Sequence, residues 1–167
     1  MAINKICESF EAAVSGIKDG STILVSGFGG AGMPTELLNA LREQGASELT
    51  IVSNNAGVGK EGIGGLLLDG RVKKVICSYP RSGGSVVFEE MWAAGKVDLE
   101  VVPQGTLSER IRAAGAGIGG FYTPTGVGTQ LAEGKEVREI NGRLQVLEAP
   151  LKGDVAFILA RQSDRWG

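Results

Sequence analysis

The chain has 167 residues, of which 43% are hydrophobic and 22% are charged, and its formal net charge at pH 7 is −2. This length and composition predict one globular domain over residues 1–167, since the chain is long enough to bury a core and too short to suggest two. The near balance of charges argues against nucleic acid and membrane surfaces as partners, and no apolar stretch reaches the roughly 18 residues that cross a bilayer.

The first half of the chain predicts alternating helices and strands. Residues 1–5 lack the apolar segment of a signal peptide, which favours a cytoplasmic protein. The segments that follow show helical or strand periodicity and are separated by glycine, proline or Asp-Gly signals. The predicted elements are a helix over 10–17, a strand over 22–26, a helix from Pro34 to about Gln44, a strand over 49–53, and a strand over 72–77.

The second half begins with the same alternation and then changes. The predicted elements are a helix from Val86 to Gly95, a strand over 99–102, a helix from about Thr106 to Ala114, and a last apolar strand over 154–160. Between them, residues 136–140 and 143–148 flank Asn141-Gly142, and that dipeptide is the strongest short signal for a β-hairpin.

The alternation of strands and helices predicts an α/β fold. We expect a Rossmann-like, open and mostly parallel sheet with helices on both faces, together with a β-hairpin in the C-terminal part. A parallel sheet needs a covering layer on each face, whereas residues 161–167 are polar and stop just after the last strand. This ending indicates either a fragment or a core that is completed by another chain.

A glycine-rich loop, Gly27–Pro34, follows the first predicted strand with the G-x-G-x-x-G spacing of a dinucleotide-binding fingerprint. That fingerprint also needs an acidic residue about 20 positions later, where this chain has Asn54 and Asn55. The loop therefore argues against a nucleotide-binding oxidoreductase and for another anionic ligand. The glycines that would let backbone N–H groups face this anion at a helix N-terminus are Gly27, Gly29, Gly30 and Gly32.

The chain contains no histidine. It therefore lacks Ser-His and Cys-His nucleophile pairs, an imidazole general base and histidine metal ligands. Its two cysteines, Cys7 and Cys77, show no metal or redox spacing and are expected to be free thiols or apolar fillers. We expect no metal site, and any chemistry must depend on amides, carboxylates, backbone groups or a partner chain.

Three amide side chains follow predicted strands. Gln104 lies at the carboxyl end of the sheet, where its amide can donate a hydrogen bond to a developing oxyanion or instead bond its own backbone at a helix start. Asn54 and Asn55 can donate to a ligand or stabilise a turn. The residues alone leave both alternatives open.

Four segments together resemble the A (alpha) subunits of family I CoA-transferases, which move coenzyme A between a 3-oxo acid and a donor such as succinyl-CoA. These segments are Asp19-Gly20 through Gly27-Phe28 to Pro34, residues 53–57, residues 102–106, and residues 126–129. Three further segments look most like the 3-oxoadipate CoA-transferases, namely residues 77–81, 86–88 and 164–167. Acetoacetate-using members share the four main segments and are the alternative.

The resemblance implies a ping-pong reaction in which the acyl-CoA is attacked by a glutamate of a B (beta) subunit. This chain would then act only with that partner, in a heterodimer or heterotetramer, with a CoA thioester as substrate and no permanently bound cofactor. The resemblance places Gln104 in the oxyanion hole, and it places the glycine loop and at least one of Asn54 and Asn55 beside the substrate.

Two further contacts are hypotheses, the first of which depends on an unusual Pro80-Arg81 pair after a predicted strand. Arg81 is a candidate for the distal carboxylate of a dicarboxylic 3-oxo acid, because a guanidinium matches a carboxylate with two hydrogen bonds. Gly126, Gly128 and Thr129 are expected to form another wall of the cleft, the alternative being a turn before the hairpin.

The family's A subunits continue well past the position of Gly167, so the resemblance also implies a chain that is short at its C-terminus. The competing hypothesis is a non-catalytic module that binds CoA, an acid or only a partner.

Overall fold

The structure is a computed structural model that describes residues 4–167; Met1–Ile3, the start of the segment without a signal-peptide pattern, lie outside the described residues. The α-helices are α1 (Phe10–Val14), α2 (Thr35–Gln44), α3 (Ile63–Leu68), α4 (Val86–Ala93) and α5 (Gln104–Gly115). The strands are β1 (Thr22–Val25), β2 (Leu49–Asn55), β3 (Val72–Tyr79), β4 (Asp98–Val101), β5 (Phe121–Thr123), β6 (Val137–Ile140), β7 (Arg143–Glu148) and β8 (Val155–Phe157). Within 4–167, no helix combines the length and apolarity that a membrane crossing requires.

The main sheet has five strands in the order β4-β3-β2-β1-β8, and every neighbouring pair is parallel. Ile51 of β2 lies opposite Ile23 of β1 on one side and Val75 of β3 on the other. Because the strands are parallel, their carboxyl ends meet at one edge of the sheet. The predicted α/β architecture is confirmed.

Helices cover both faces of this sheet. One face carries the large core, in which α1 to α4 pack side chains such as Leu41, Leu66 and Phe88 against the sheet. The other face carries a smaller core around α5, which contains Val52, Ile76, Val102 and Leu107. Neighbouring residues of one strand enter different cores because side chains alternate across a strand.

At the carboxyl edge of the sheet, two strands and one helix are longer than predicted. β2 continues to Asn55 and β3 to Tyr79, two residues beyond the predicted strand ends in both cases. α5 begins at Gln104 and not at Thr106, directly after Pro103 with its φ of −53°. β2 and α5 therefore include Asn54, Asn55 and Gln104, and the edge holds these three predicted site residues in regular structure.

The C-terminal part forms a second, antiparallel sheet in the order β5-β7-β6. The predicted hairpin is present, and Asn141 and Gly142 both have positive φ, as its two-residue turn requires. β5 was not predicted, since three residues are too few to show a pattern. β8 is shorter than the predicted strand. Its one neighbouring strand within residues 4–167 is β1, which ends at Val25 opposite Phe157, so no strand residue of that range pairs with Ile158.

Arg110 connects the two sheets through charged contacts. Its side chain is only 11% exposed and lies 2.8 Å from Glu100 of β4 and 4.0 Å from Glu148 of β7. Lys74 pairs with Glu100 at 2.6 Å, and Lys135 pairs with Glu148 at 2.7 Å. Burial raises the pKa of Glu100, but its hydrogen bonds with Arg110 and Lys74 outweigh that effect and leave the pKa below its usual value.

Candidate functional site

A cavity of about 490 Å³ opens at the carboxyl edge of the main sheet. It is lined by Phe28, Gly29, Asn54, Asn55, Ser78, Tyr79, Ser82 and Gln104. Four of these residues were predicted for the site, and they come from three separate segments of the chain. The other four follow β1 or β3 or end β3, and the sequence signal for them was their position just after or at the end of a strand.

Asn54 and Gln104 form a direct pair in this cavity. The Asn54 Nδ2 donates to the Gln104 Oε1 over 2.8 Å, although the two residues are 50 positions apart. Gln104 therefore bonds Asn54 and does not fold back on its own backbone. Because its oxygen faces Asn54, its Nε2 group points elsewhere, and the hydrogen bonds among residues 4–167 include no acceptor for it.

Asn55 has a different role from its neighbour. It is 1% exposed, its Nδ2 donates to the Gly29 carbonyl at 3.0 Å, and its Oδ1 accepts from the Gly57 N–H at 2.8 Å. The side chain thus stabilises the turn after β2 and attaches the glycine loop to it. The two alternatives for these asparagines were a bond to a ligand and the stabilisation of a turn. Asn55 stabilises the turn, whereas the side chain of Asn54 is directed to Gln104.

The glycine loop is a narrow turn that precedes α2. The N–H groups of Phe28 and Ala31 each donate to the other residue's carbonyl, at 2.9 and 3.1 Å, across Gly29 and Gly30. These two N–H groups are therefore already paired within the loop. α2 begins only at Thr35, so the glycines lie outside the helix N-terminus, and their contact with an anion stays a prediction.

The segment after β3 carries a cluster of hydroxyl groups. Ser85 is 2% exposed, and its Oγ donates to the Gly57 carbonyl at 3.0 Å and accepts from the Ser82 N–H at 3.1 Å. The Oγ atoms of Ser82 and Ser85 are 2.8 Å apart. The Oγ of Ser78 is buried and has no hydrogen-bond partner within the described part of the chain.

Two predicted groups are not among the residues that line the cavity. The Arg81 side chain is 69% exposed, does not line the cavity, and lies 3.8 Å from the Glu89 carboxylate. Thr129 donates through its Oγ1 to the Gly126 carbonyl at 2.7 Å and accepts from the Leu131 N–H, while Gly128 adopts positive φ. The contacts of Thr129 form a turn, which was the alternative for this segment. A substrate contact by Arg81, Gly126, Gly128 or Thr129 stays a prediction.

The cavity provides hydrogen-bonding groups but no side chain that is ionised at neutral pH. None of its eight lining residues has a carboxylate, a thiol or an amine. Cys77 precedes the lining residues Ser78 and Tyr79 in β3. Burial raises the pKa of its thiol to about 11, which keeps the thiol protonated at neutral pH. The arrangement is suited to stabilising charge on a bound carbonyl or carboxylate. A carboxylate nucleophile, or a base that activates a serine hydroxyl, would have to come from outside this lining.

The model of the family described as Coenzyme A transferase matches residues 7–167. The chain is 61% identical to the A subunit of the 3-oxoadipate CoA-transferase of Pseudomonas putida over 165 residues, 99% of this chain and 71% of that protein. It is 48% identical to the A subunit of the probable succinyl-CoA:3-ketoacid coenzyme A transferase of Bacillus subtilis, over 99% of this chain and 68% of that protein.

Solved structures show the same fold. An acyl-CoA transferase apoenzyme from Escherichia coli O157:H7 superposes with a TM-score of 0.77 at 26% identity, over 93% of this chain and 34% of that one. The glutaconate coenzyme A-transferase of Acidaminococcus fermentans superposes with a TM-score of 0.72 at 19% identity, over 89% of this chain and 54% of that one.

Proposed function

The chain belongs to the coenzyme A transferase family, and from this premise we propose that it contributes the oxyanion-binding half of an active site shared with a B subunit. The family and the A-subunit type predicted from the four motifs are confirmed by the comparisons. The proposed reaction moves CoA from succinyl-CoA to a 3-oxo acid in an assembly of A and B subunits, as a heterodimer or heterotetramer.

The observation that carries this proposal is the Asn54–Gln104 pair at the sheet edge. In the proposed reaction, the thioester carbonyl carbon is attacked by a glutamate carboxylate of the B subunit. The C–S bond breaks, CoA leaves as the thiolate, and an acyl anhydride remains on the glutamate. The CoA thiolate then attacks the glutamyl carbonyl, which releases the acid and gives an enzyme–CoA thioester.

In each of these steps, negative charge develops on the oxygen of the carbonyl group under attack, which is first the thioester carbonyl and then the glutamyl carbonyl. The Nε2 group of Gln104 donates to that oxygen, and Asn54 stabilises the orientation that makes this possible, because it occupies the amide oxygen. The donor is held before the substrate arrives, since Gln104 is the first residue of α5 and Asn54 lies within β2. This preorganisation is what makes such a donor effective.

We propose 3-oxoadipate as the acceptor acid. The support is the greater identity to the 3-oxoadipate relative, 61% against 48% for the 3-ketoacid relative. An acetoacetate-type acceptor is the alternative, and comparing the two acids in one assay distinguishes them. A CoA thioester is the substrate in either case, and a cytoplasmic location stays a prediction.

The test is CoA transfer by the chain assembled with a B subunit, with and without Gln104→Ala. We expect the substitution to lower kcat by roughly 10² to 10³, the typical loss for one oxyanion donor, with little change in KM. Gln145→Ala, on β7 of the second sheet, is the control and should retain full activity. Unchanged turnover by Gln104→Ala would refute the oxyanion role, and an inert wild-type complex would refute the transferase itself.

A further inference from the structure

The cavity extends across the edge of the sheet from one face to the other. Gln104 begins α5, whereas Ser82 lies just before α4, and these two helices cover opposite faces. Both residues nevertheless line the same space of about 490 Å³, which is enough for a small ligand. A ligand with a carbonyl at Gln104 has room within this cavity to reach Ser82.

The hydrogen bonds around Ser85 determine the direction of the bond between the two serines. A carbonyl oxygen can only accept, so the single hydroxyl proton of Ser85 is used on Gly57. The proton between the two Oγ atoms must then belong to Ser82. Ser82 thus donates to Ser85 while no ligand is bound.

Ser82 can redirect this proton at low cost. If its hydroxyl rotates towards the cavity, the Ser85 Oγ still accepts from the Ser82 N–H and still donates to Gly57. No buried group loses all its partners in this change. A hydrogen bond from Ser82 to a carboxylate is charge-assisted and roughly twice as strong as the neutral bond to Ser85 that it replaces.

A second hydroxyl, that of Ser78, belongs to the lining of the same cavity. The Ser78 Oγ is buried near the end of β3 and lacks a partner within 4–167. Buried polar groups are normally hydrogen-bonded, and one that is unpaired beside a cavity points to a ligand or an ordered water. By strand alternation, Ser78 shares a face of β3 with Ile76 of the core around α5, the same face as Gln104. It therefore adds a second hydroxyl on the Gln104 side of a cavity that also contains Phe28 and Tyr79.

We propose that Ser82 is the donor of a carboxylate subsite for the distal end of a dicarboxylic acyl group, and that Ser85 is its positioning residue. This inference rests on the proposed function, because it names the substrate class of that same site. It differs from the sequence-based hypothesis, which gave the distal carboxylate to Arg81.

The test compares two acids that differ only at the distal end, adipate and hexanoate, as inhibitors of CoA transfer by the enzyme assembled with its B subunit. We expect Ser82→Ala and Ser85→Ala to raise the inhibition constant of adipate about tenfold and to change that of hexanoate less than twofold. The KM for 3-oxoadipate should rise similarly, with kcat nearly constant. Ser85→Thr keeps the hydroxyl and should restore adipate binding.

Ser15→Ala is the matched control, since the Ser15 hydroxyl bonds the Ala12 carbonyl at the end of α1, and it should leave both acids unaffected. Equal losses for adipate and hexanoate in Ser82→Ala would overturn the subsite, because a general loss of structure has no preference for the dicarboxylate. A loss in Arg81→Ala without one in Ser82→Ala would also overturn it. Either result leaves the transferase intact, whereas an inert wild-type complex would overturn the proposed function and the subsite with it.

Discussion

Asn54 and Asn55 show how two adjacent, identical side chains acquire different roles. Asn54 reaches Gln104, whereas Asn55 is buried between the Gly29 carbonyl and the Gly57 N–H. The reason is the extended strand, which directs successive side chains to opposite faces. The sequence predicted both residues at the site, but with β2 predicted to end at Ser53 the division of roles between them could not be foreseen.

At the same scale, Gly27 is the glycine of the loop whose replacement should lower the free energy of unfolding most. Its φ is +115°, and a Cβ atom there would lie 3.0 Å from the Ala31 carbonyl oxygen. We expect Gly27→Ala to lower the free energy of unfolding by about 2 kcal/mol, as typical for such backbone strain, measured by urea denaturation.

Gly30→Ala is the matched control, because a Cβ at Gly30 meets nothing within 4 Å and its φ is not positive. It should unfold at nearly the same urea concentration as the wild type. Equal stability of the two variants would mean that the loop relaxes around the added methyl group.

At the scale of elements, Glu100 of β4 provides a pH-dependent contribution to stability. The pKa of Glu100 is lowered in the folded chain, since the bonds from Arg110 and Lys74 outweigh the effect of burial. Its contribution is therefore fully present above the unfolded pKa of about 4.3 and is lost as pH falls through the lower folded value.

We expect Glu100→Gln to reduce the free energy of unfolding by about 2 kcal/mol at pH 7, since it removes charge-assisted bonds to two cations. The difference from the wild type should shrink as the pH falls below about 4. Urea denaturation between pH 3 and pH 7 measures both effects, and the exposed Glu133→Gln is the control. A difference that is independent of pH would contradict the role of the charge.

At the scale of the whole molecule, the two sheets differ in how far they are covered. β2 and β3 have neighbours on both sides and cores on both faces, whereas β6 is an edge strand with mostly exposed side chains. We expect amide hydrogen exchange to be slowest in β2 and β3 and faster by orders of magnitude in β6, because local opening of an edge exposes few apolar contacts. Equal protection in β6 and β2 would mean that the molecule opens only as one unit.

The sequence by itself determined the family, the alternation of strands and helices, and the hairpin at Asn141-Gly142, and it led to the prediction of Gln104 as the principal site residue. Those features depend on periodicity, turn chemistry and motifs, all of which are local along the chain. Tertiary structure alone decided the pairing of Asn54 with Gln104, 50 positions apart, and the contact of Ser85 with Gly57, 28 positions apart. It also brought Ser82, and not Arg81, to the cavity, since strand order and helix placement decide which loops meet at the carboxyl edge of a parallel sheet.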